Sequence, residues 1–270
     1  MTEAHPLAEA ELARLRRRTV ATLVAGVALG STGHIAAVTV ATIVAKDLAG
    51  SAALSGAPGA TVVLGAAFGA VALAQLMVGQ GRRIGLAVGY SISVVGAIIA
   101  TVAVVIASLP LLLFGTVLIG FGNASNQLSR YAAADLAEPG RRASAIGIVV
   151  WGSTIGAVVG PNLIAPAGVV ATALGLPALS GAYLVPIVFV GAAALLSFIL
   201  LRPDPYDLAH STSRHDVERD GRATAVSLAS VMARPNVPVA IVALIAGQFV
   251  MVLIMTMTPL HMADHGHDLA

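Results

Sequence analysis

The 270-residue sequence has no cysteine, which excludes both a disulfide framework and thiolate chemistry. It is also poor in charge, with 10% Asp, Glu, Lys and Arg, and poor in aromatic residues, at 4%. So little charge, beside 57% hydrophobic residues and a mean hydropathy of +0.91, excludes a soluble domain, whose composition runs to about 25% charged residues. No HExxH-type pair of metal ligands occurs, and no nucleophile, base and orienter set is visible, so the sequence points away from an enzyme. Gly120-x-Gly122 lacks a third glycine and follows no strand, which rejects dinucleotide binding; no cofactor is expected.

What the sequence does have is long apolar runs. A bilayer core takes about 20 apolar residues per helix. Seven such spans fall at 19–45, 58–79, 84–107, 109–131, 143–165, 179–201 and 236–259. They predict an all-α, multi-pass integral membrane protein lying in a lipid bilayer. The pI of about 9.4 would suit a nucleic-acid partner, but the positions of the charges argue otherwise. Arg14, Arg16, Arg17 and Arg18 precede the first span, and Arg82 and Arg83 follow the second. Arg130, Arg141 and Arg142 join the fourth to the fifth, and Arg202, Arg214, Arg219, Arg222 and Arg234 join the sixth to the seventh. Of the 15 basic residues, Lys46 alone lies on the other side. The positive-inside rule therefore puts the N-terminus in the cytoplasm and the end of the seventh span outside. The first apolar run is too long for a signal-peptide core and contains His34, so it reads as an uncleaved helix.

Four regions follow: a cytoplasmic tail over 1–18, a six-helix bundle over 19–201, a cytoplasmic central loop over 202–235, and a seventh helix with the start of an outer loop over 236–270. Pro203, Pro205 and a charged run through Arg222 mark the central loop. Residues 223–234 read either as a short amphipathic helix on the cytoplasmic face or as a solvated loop.

The fifth span is rich in glycine: Gly147, then Gly156 after eight residues, Gly160 after three more, and Pro161 at once. Gly152, Gly156 and Gly160 stand four apart, which forms a ridge without side chains and lets another backbone approach closely in lipid. Pro161 frees a backbone carbonyl and predicts a kink or an end to the helix.

Polar groups inside a bilayer are costly and tend to face a cavity. All acidic residues fall outside the spans, which leaves His34 as the ionisable residue well inside one, with Ser31 and Thr32 beside it. A histidine suits a proton carrier because its ordinary pKa is near 6.5; the alternative is a neutral imidazole bonded to a neighbouring helix. Asn123, Asn126, Gln127 and Arg130 run down the fourth span, where 123, 127 and 130 share a helical face. They are candidates for a substrate path or for ties between helices. Arg130 is expected to pair with Asp135 or to anchor at the headgroups, and Gln75 to act as a tie between helices. Gln248 lies near the middle of the seventh span. Met251, Met255, Met257, His261, Met262, His265 and His267 invite a metal reading, but their spacing is unconvincing and no metal site is assigned.

Six spans, a cytoplasmic loop and a further span resemble the major facilitator superfamily in layout, and three stretches carry the resemblance further. The fifth-span spacing is similar to the antiporter motif of that family's proton-coupled exporters, Gly-x8-Gly-x3-Gly-Pro followed by two glycines; Ile164 and Ala165 take the places of the trailing pair. Residues 74–86, AQLMVGQGRRIGL, resemble the family's cytoplasmic loop signature. Gly81, Arg82 and Arg83 match, whereas Val78 and Gly79 replace an acidic and a basic residue. Gly120 and Gly122 match a glycine pair of the fourth helix, while the family's proton-linked arginine falls at Thr116.

The resemblance implies two six-helix halves that work by alternating access, with a substrate site between them. It implies that helices one, four and seven line the cavity, and these hold His34, Asn123, Asn126, Gln127 and Gln248. Arg82, Arg83, Arg141 and Arg142, with Asp135 and Glu138, would make cytoplasmic charge contacts stabilising one state, each worth about 1 kcal/mol or less. The expected function is proton-coupled efflux of a small organic solute across a bacterial cytoplasmic (inner) membrane, so its partners are that solute and protons. A proton-coupled or facilitative importer is the alternative, and a non-transporting seven-helix scaffold or sensor competes from another class. One half and one further helix predict either a piece of a longer transporter, lacking its C-terminal half, or a natural truncation that needs a second copy of the chain.

Overall fold

The computed structural model describes residues 6–137, 139–202, 204, 233–234 and 236–264, all in helices and short connections. The chain divides into two units, residues 1–214 and 215–270. The first holds α1 (Pro6–Ala49), α2 (Ala57–Val105), α3 (Leu109–Leu136), α4 (Arg142–Asn162), α5 (Ile164–Ala173) and α6 (Gly181–Leu200). The second holds α7 (Asn236–Asp264), on which Gln248 lies. Five helices of the first unit are long and apolar enough to cross a bilayer: α1, α2, α3, α4 and α6 with its preceding turn.

One of the five contains two crossings. α2 has 49 residues, and a straight helix of that length would run about 74 Å, against a bilayer core of about 30 Å. It breaks at Gly81, whose φ of 86° and ψ of 167° lie outside the helical region. A positive φ is easy for glycine, which has no Cβ to clash. Beyond the break the chain doubles back: Met77 lies against Gly85, and Leu73 against Gly89. The two arms are the second and third spans read from the sequence.

α3 lies between these arms, and small residues allow it. Gly120 of α3 meets the backbone of Val62 and Ala66 on the first arm, and Gly115 meets that of Gly96 and Ala100 on the second. Thr61 and Thr116 add a hydroxyl pair at 2.7 Å, and the Ser93 hydroxyl donates to the Ile119 carbonyl at 3.3 Å. In lipid such close packing and hydrogen bonding replace the hydrophobic effect as the force holding helices together.

Four helices depart from the expected bounds by more than two residues, among them α3, which runs to Leu136 rather than 131, and α7, which runs to Asp264 rather than 259. α1 begins at Pro6, well before residue 19. Residues 6–18 are almost all strong helix formers, with proline in the first turn, where its missing N–H leaves no bond unmade. The fifth span closes at Asn162, one residue past Pro161; the Leu163 N–H turns back to the Gly160 carbonyl at 3.2 Å, and α5 starts afresh at Ile164. Glu138, His265, His267 and nearly all of the segment 223–234 lie outside the described residues.

Candidate functional site

Apolar side chains in the first unit form two buried clusters. One gathers Leu23, Val27, Leu86, Leu128, Val149 and Val190; the other gathers Val40, Val44, Ala97, Ala100, Leu112 and Tyr183. On α1 the gap between them is the stretch that carries Gly30, Ser31, Thr32 and His34. A polar centre fills this gap. The Tyr90 hydroxyl donates to Asn126 Oδ1 at 2.8 Å, and Asn126 Nδ2 donates to Ser31 Oγ at 3.3 Å, so α2, α3 and α1 are tied through one amide. Asn126 is 4% exposed and Tyr90 is fully enclosed. Gly30 makes the arrangement possible, since a Cβ there would stand 2.5 Å from Asn126 Oδ1.

His34 stands one turn beyond Gly30. It is half-buried, and its Nδ1 is enclosed with no hydrogen-bond partner among the described residues. An unpaired polar atom inside a bilayer costs free energy. Asn123 and Arg130 are half-buried and Gln127 exposed, whereas Asn126, at the adjoining edge of the same helix, is buried. Gln75 is exposed rather than packed between the helices of this unit.

The glycine ridge of α4 is seated on α1. Cβ atoms on Gly152, Gly156 and Gly160 would stand 2.6 Å from the Val24 carbonyl oxygen, 2.5 Å from the Ser31 Cβ and 2.8 Å from the Thr32 carbonyl oxygen. Gly147 is not part of this seam, for nothing lies within 4 Å of the position its Cβ would take. The ridge thus touches Ser31, the residue to which Asn126 is bonded. Pro161, directly after the last glycine of the seam, is exposed.

Near the Gly81 break lies a charged cluster. Arg82 Nη2 meets Asp135 Oδ2 at 2.8 Å, with the two side chains 22% and 39% exposed. Arg130 does not hold Asp135: it is half-buried, and its Nε has no partner among the described residues. Five positions apart on α3, the two side chains point about 140° from each other around the helix, and Asp135, in the last turn, meets the α2 hairpin instead. Arg83 donates through Nε to the Phe198 carbonyl at 2.9 Å and lies 4.7 Å over the Phe198 ring. Arg141 and Arg142 are exposed.

Asp204, which sequence reasoning missed, accepts the backbone N–H groups of Arg82 and Arg83 at 3.1 and 3.0 Å. Its carboxylate caps the positive end of the arm that starts there. The only signal for it was an acid just past the sixth span, and nothing local says which helix it caps. Tyr90 was missed as well; an aromatic in an apolar run reads as core until its partner across 36 positions is known.

Comparison with known proteins agrees with this architecture. The model of the Major Facilitator Superfamily matches residues 20–270. The uncharacterized MFS-type transporter YdeG of Bacillus subtilis (strain 168) is 35% identical over 255 residues, covering 94% of this chain and 59% of the relative. The uncharacterized MFS-type transporter YddS of the same organism is 35% identical over 262 residues, covering 95% and 59%. The riboflavin transporter RfnT of Brucella anthropi is 27% identical over 258 residues, covering 93% and 60%. The chain therefore spans about three fifths of the length of these relatives.

Proposed function

The chain belongs to the major facilitator superfamily, and on that premise we propose that it serves a secondary transporter moving a small organic solute across a membrane by alternating access. One observation carries the reading: the ridge Gly152, Gly156 and Gly160 lies on the backbone of α1 and touches Ser31, which the buried Asn126 also holds. A seam without side chains lets α4 rock along α1 with little steric resistance. Any such movement bears on the polar centre, where binding energy and conformation become coupled.

His34 is the proposed proton-carrying residue, supported by its enclosed and unpaired Nδ1. Asn123, Asn126, Gln127 and Gln248 are the proposed contacts along the solute path. The contacts among Arg82, Asp135, Arg83, Phe198 and Asp204 are the proposed cytoplasmic latch, with Arg141 and Arg142 at its edge. Protons drive efflux in this scheme. The riboflavin transporter among the relatives makes riboflavin the first solute to try. A second wall of the cavity comes from further helices, in a continuation of the chain or in a second copy. The intact mass of the protein purified from its own membranes separates these two.

A second reading, uptake rather than efflux, is favoured by Thr116. It stands where the exporters' arginine falls, and its hydroxyl is engaged with Thr61 at 2.7 Å. Flux in oriented vesicles, with and without a proton gradient, tests both. Gradient-driven movement outward supports efflux and movement inward supports uptake, whereas no flux of any solute, with the protein folded, sinks the transport reading.

A further inference from the structure

Arg130 has no counter-charge among the described residues. It stands on α3 between the polar centre and the charged cluster, four residues or about 6 Å along the helix from Asn126. It is half-buried, with its Nε enclosed and no hydrogen-bond partner for that atom among the described residues. Asp135 is held by Arg82, and Asp204 is engaged with the backbone of the α2 hairpin. No acidic residue occurs between Glu11 and Asp47, between Asp47 and Asp135, or between Glu138 and Asp204, so none of the first six spans carries one.

The face on which Arg130 stands is a polar stripe. Asn123, Gln127, Arg130 and Tyr131 lie within about 100° of one another around α3; the first and third are half-buried, and the other two are exposed. The exposed side chains of the second arm of α2 and of α6, by contrast, include Val95, Ile98, Leu195 and Ile199. A stripe of amides, a guanidinium and a phenol at the depth of a span suits water rather than hydrocarbon.

On the solute-path reading above, we propose that Arg130 recognises charge in that path and that the solute carries an acidic group, a carboxylate or a phosphate. A guanidinium without a counter-charge on a low-dielectric wall draws anions and repels cations. Its planar fork of donors matches two oxygens of either acidic group. Gln127 and Asn123, one and two turns further along the stripe, offer amides to the polar remainder of such a solute. A neutral or cationic solute would leave the guanidinium uncompensated.

The sequence has no cysteine, so Gln127→Cys places a single thiol one turn from Arg130, and the unaltered protein is the blank. The whole protein, purified from its own membranes into micelles, is treated with sulfonatoethyl or trimethylammonioethyl methanethiosulfonate, an organic anion and an organic cation with the same reactive group. Each rate is divided by the rate with free mercaptoethanol. At a separation of about 6 Å the sulfonate should be favoured by about tenfold. Asn123→Cys, two turns away, is the alternative site and should show a smaller preference. Arg130→Gln should remove the preference and Arg130→Lys should keep it, while Arg16→Gln with Arg17→Gln leaves it. Benzoate should slow the uncharged methyl reagent at lower concentration than benzamide does. Equal slowing by the two, or none, overturns the assignment of an acidic solute. Equal normalised rates overturn the proposal but leave a water-filled path, and mean that an acid of further helices neutralises Arg130. No reaction with either reagent overturns the path reading, and the proposal with it. A preference that survives Arg130→Gln belongs to diffuse charge, and one that disappears when phosphatidylglycerol is added to the micelles belongs to a lipid headgroup; either result also overturns it.

Discussion

Gly156 of α4 lies on Ser31 of α1 so closely that a Cβ on the glycine would stand 2.5 Å from the serine Cβ. Ser31 Oγ at the same time accepts the hydrogen bond of Asn126 Nδ2 at 3.3 Å. A helix seam and a buried polar centre thus share one residue. Displacement of α4 along α1 has to displace, or be resisted by, the only serine that joins α1 to the amide of α3 among the described residues.

Gly156→Leu should therefore abolish transport, because a side chain there forces the backbones apart along the whole seam. Membrane insertion should be unaffected, since insertion depends on apolar length. Gly147→Leu, at a position with open space around it, should be silent. Transport and thermal melting of both variants in detergent decide the matter: a silent Gly156→Leu would show that the seam has no mechanical role.

Asn126→Leu removes both bonds of the amide, including the one that the buried Tyr90 hydroxyl donates. Interhelical hydrogen bonds in membranes average about 0.6 kcal/mol and reach about 1.7 kcal/mol, so a loss of about 1–2 kcal/mol is expected. Tyr90→Phe, which deletes one bond and adds no steric change, should cost less than half of that. Unfolding in a denaturing detergent measures the difference, and additive losses would contradict a shared network.

His34→Gln keeps the size and polarity of the side chain but cannot carry a charge. If His34 couples transport to protons, this variant should retain solute exchange at equilibrium and lose gradient-driven accumulation. Accumulation at the level of the unaltered protein would move the coupling role to another residue.

Asp204→Ala removes the acceptor for two backbone N–H groups at a helix start, a change that costs about 0.5–2 kcal/mol. Gly81→Ala should be at least as damaging, because residue 81 has a φ of 86° and its Cβ would meet the Asp204 carboxylate. Asp135→Asn, at an ion pair open to solvent, should cost about 1 kcal/mol or less. Melting temperatures should fall at least as far for Gly81→Ala as for Asp204→Ala and least for Asp135→Asn; a larger fall for Asp135→Asn would mean that the ion pair, not the cap, holds the hairpin.

The all-helical class and the long apolar helices of the first unit were legible in the sequence by itself. Both depend on a local quantity, apolar length against bilayer thickness. The glycine ridge was legible for a related reason, since residues four apart share a face whatever lies opposite. Which partner each polar group takes was decided by tertiary structure. Asp135 pairs with Arg82 rather than Arg130, Asp204 caps a helix more than 120 positions away, and Asn126 rather than the face of Asn123 and Gln127 turns inward. Hydrogen bonds between helices depend on the rotation and depth at which the helices pack. Those follow from small-residue contacts such as Gly30 against Asn126 and Gly156 against Ser31, which join positions too far apart in the chain for any local pattern to reveal.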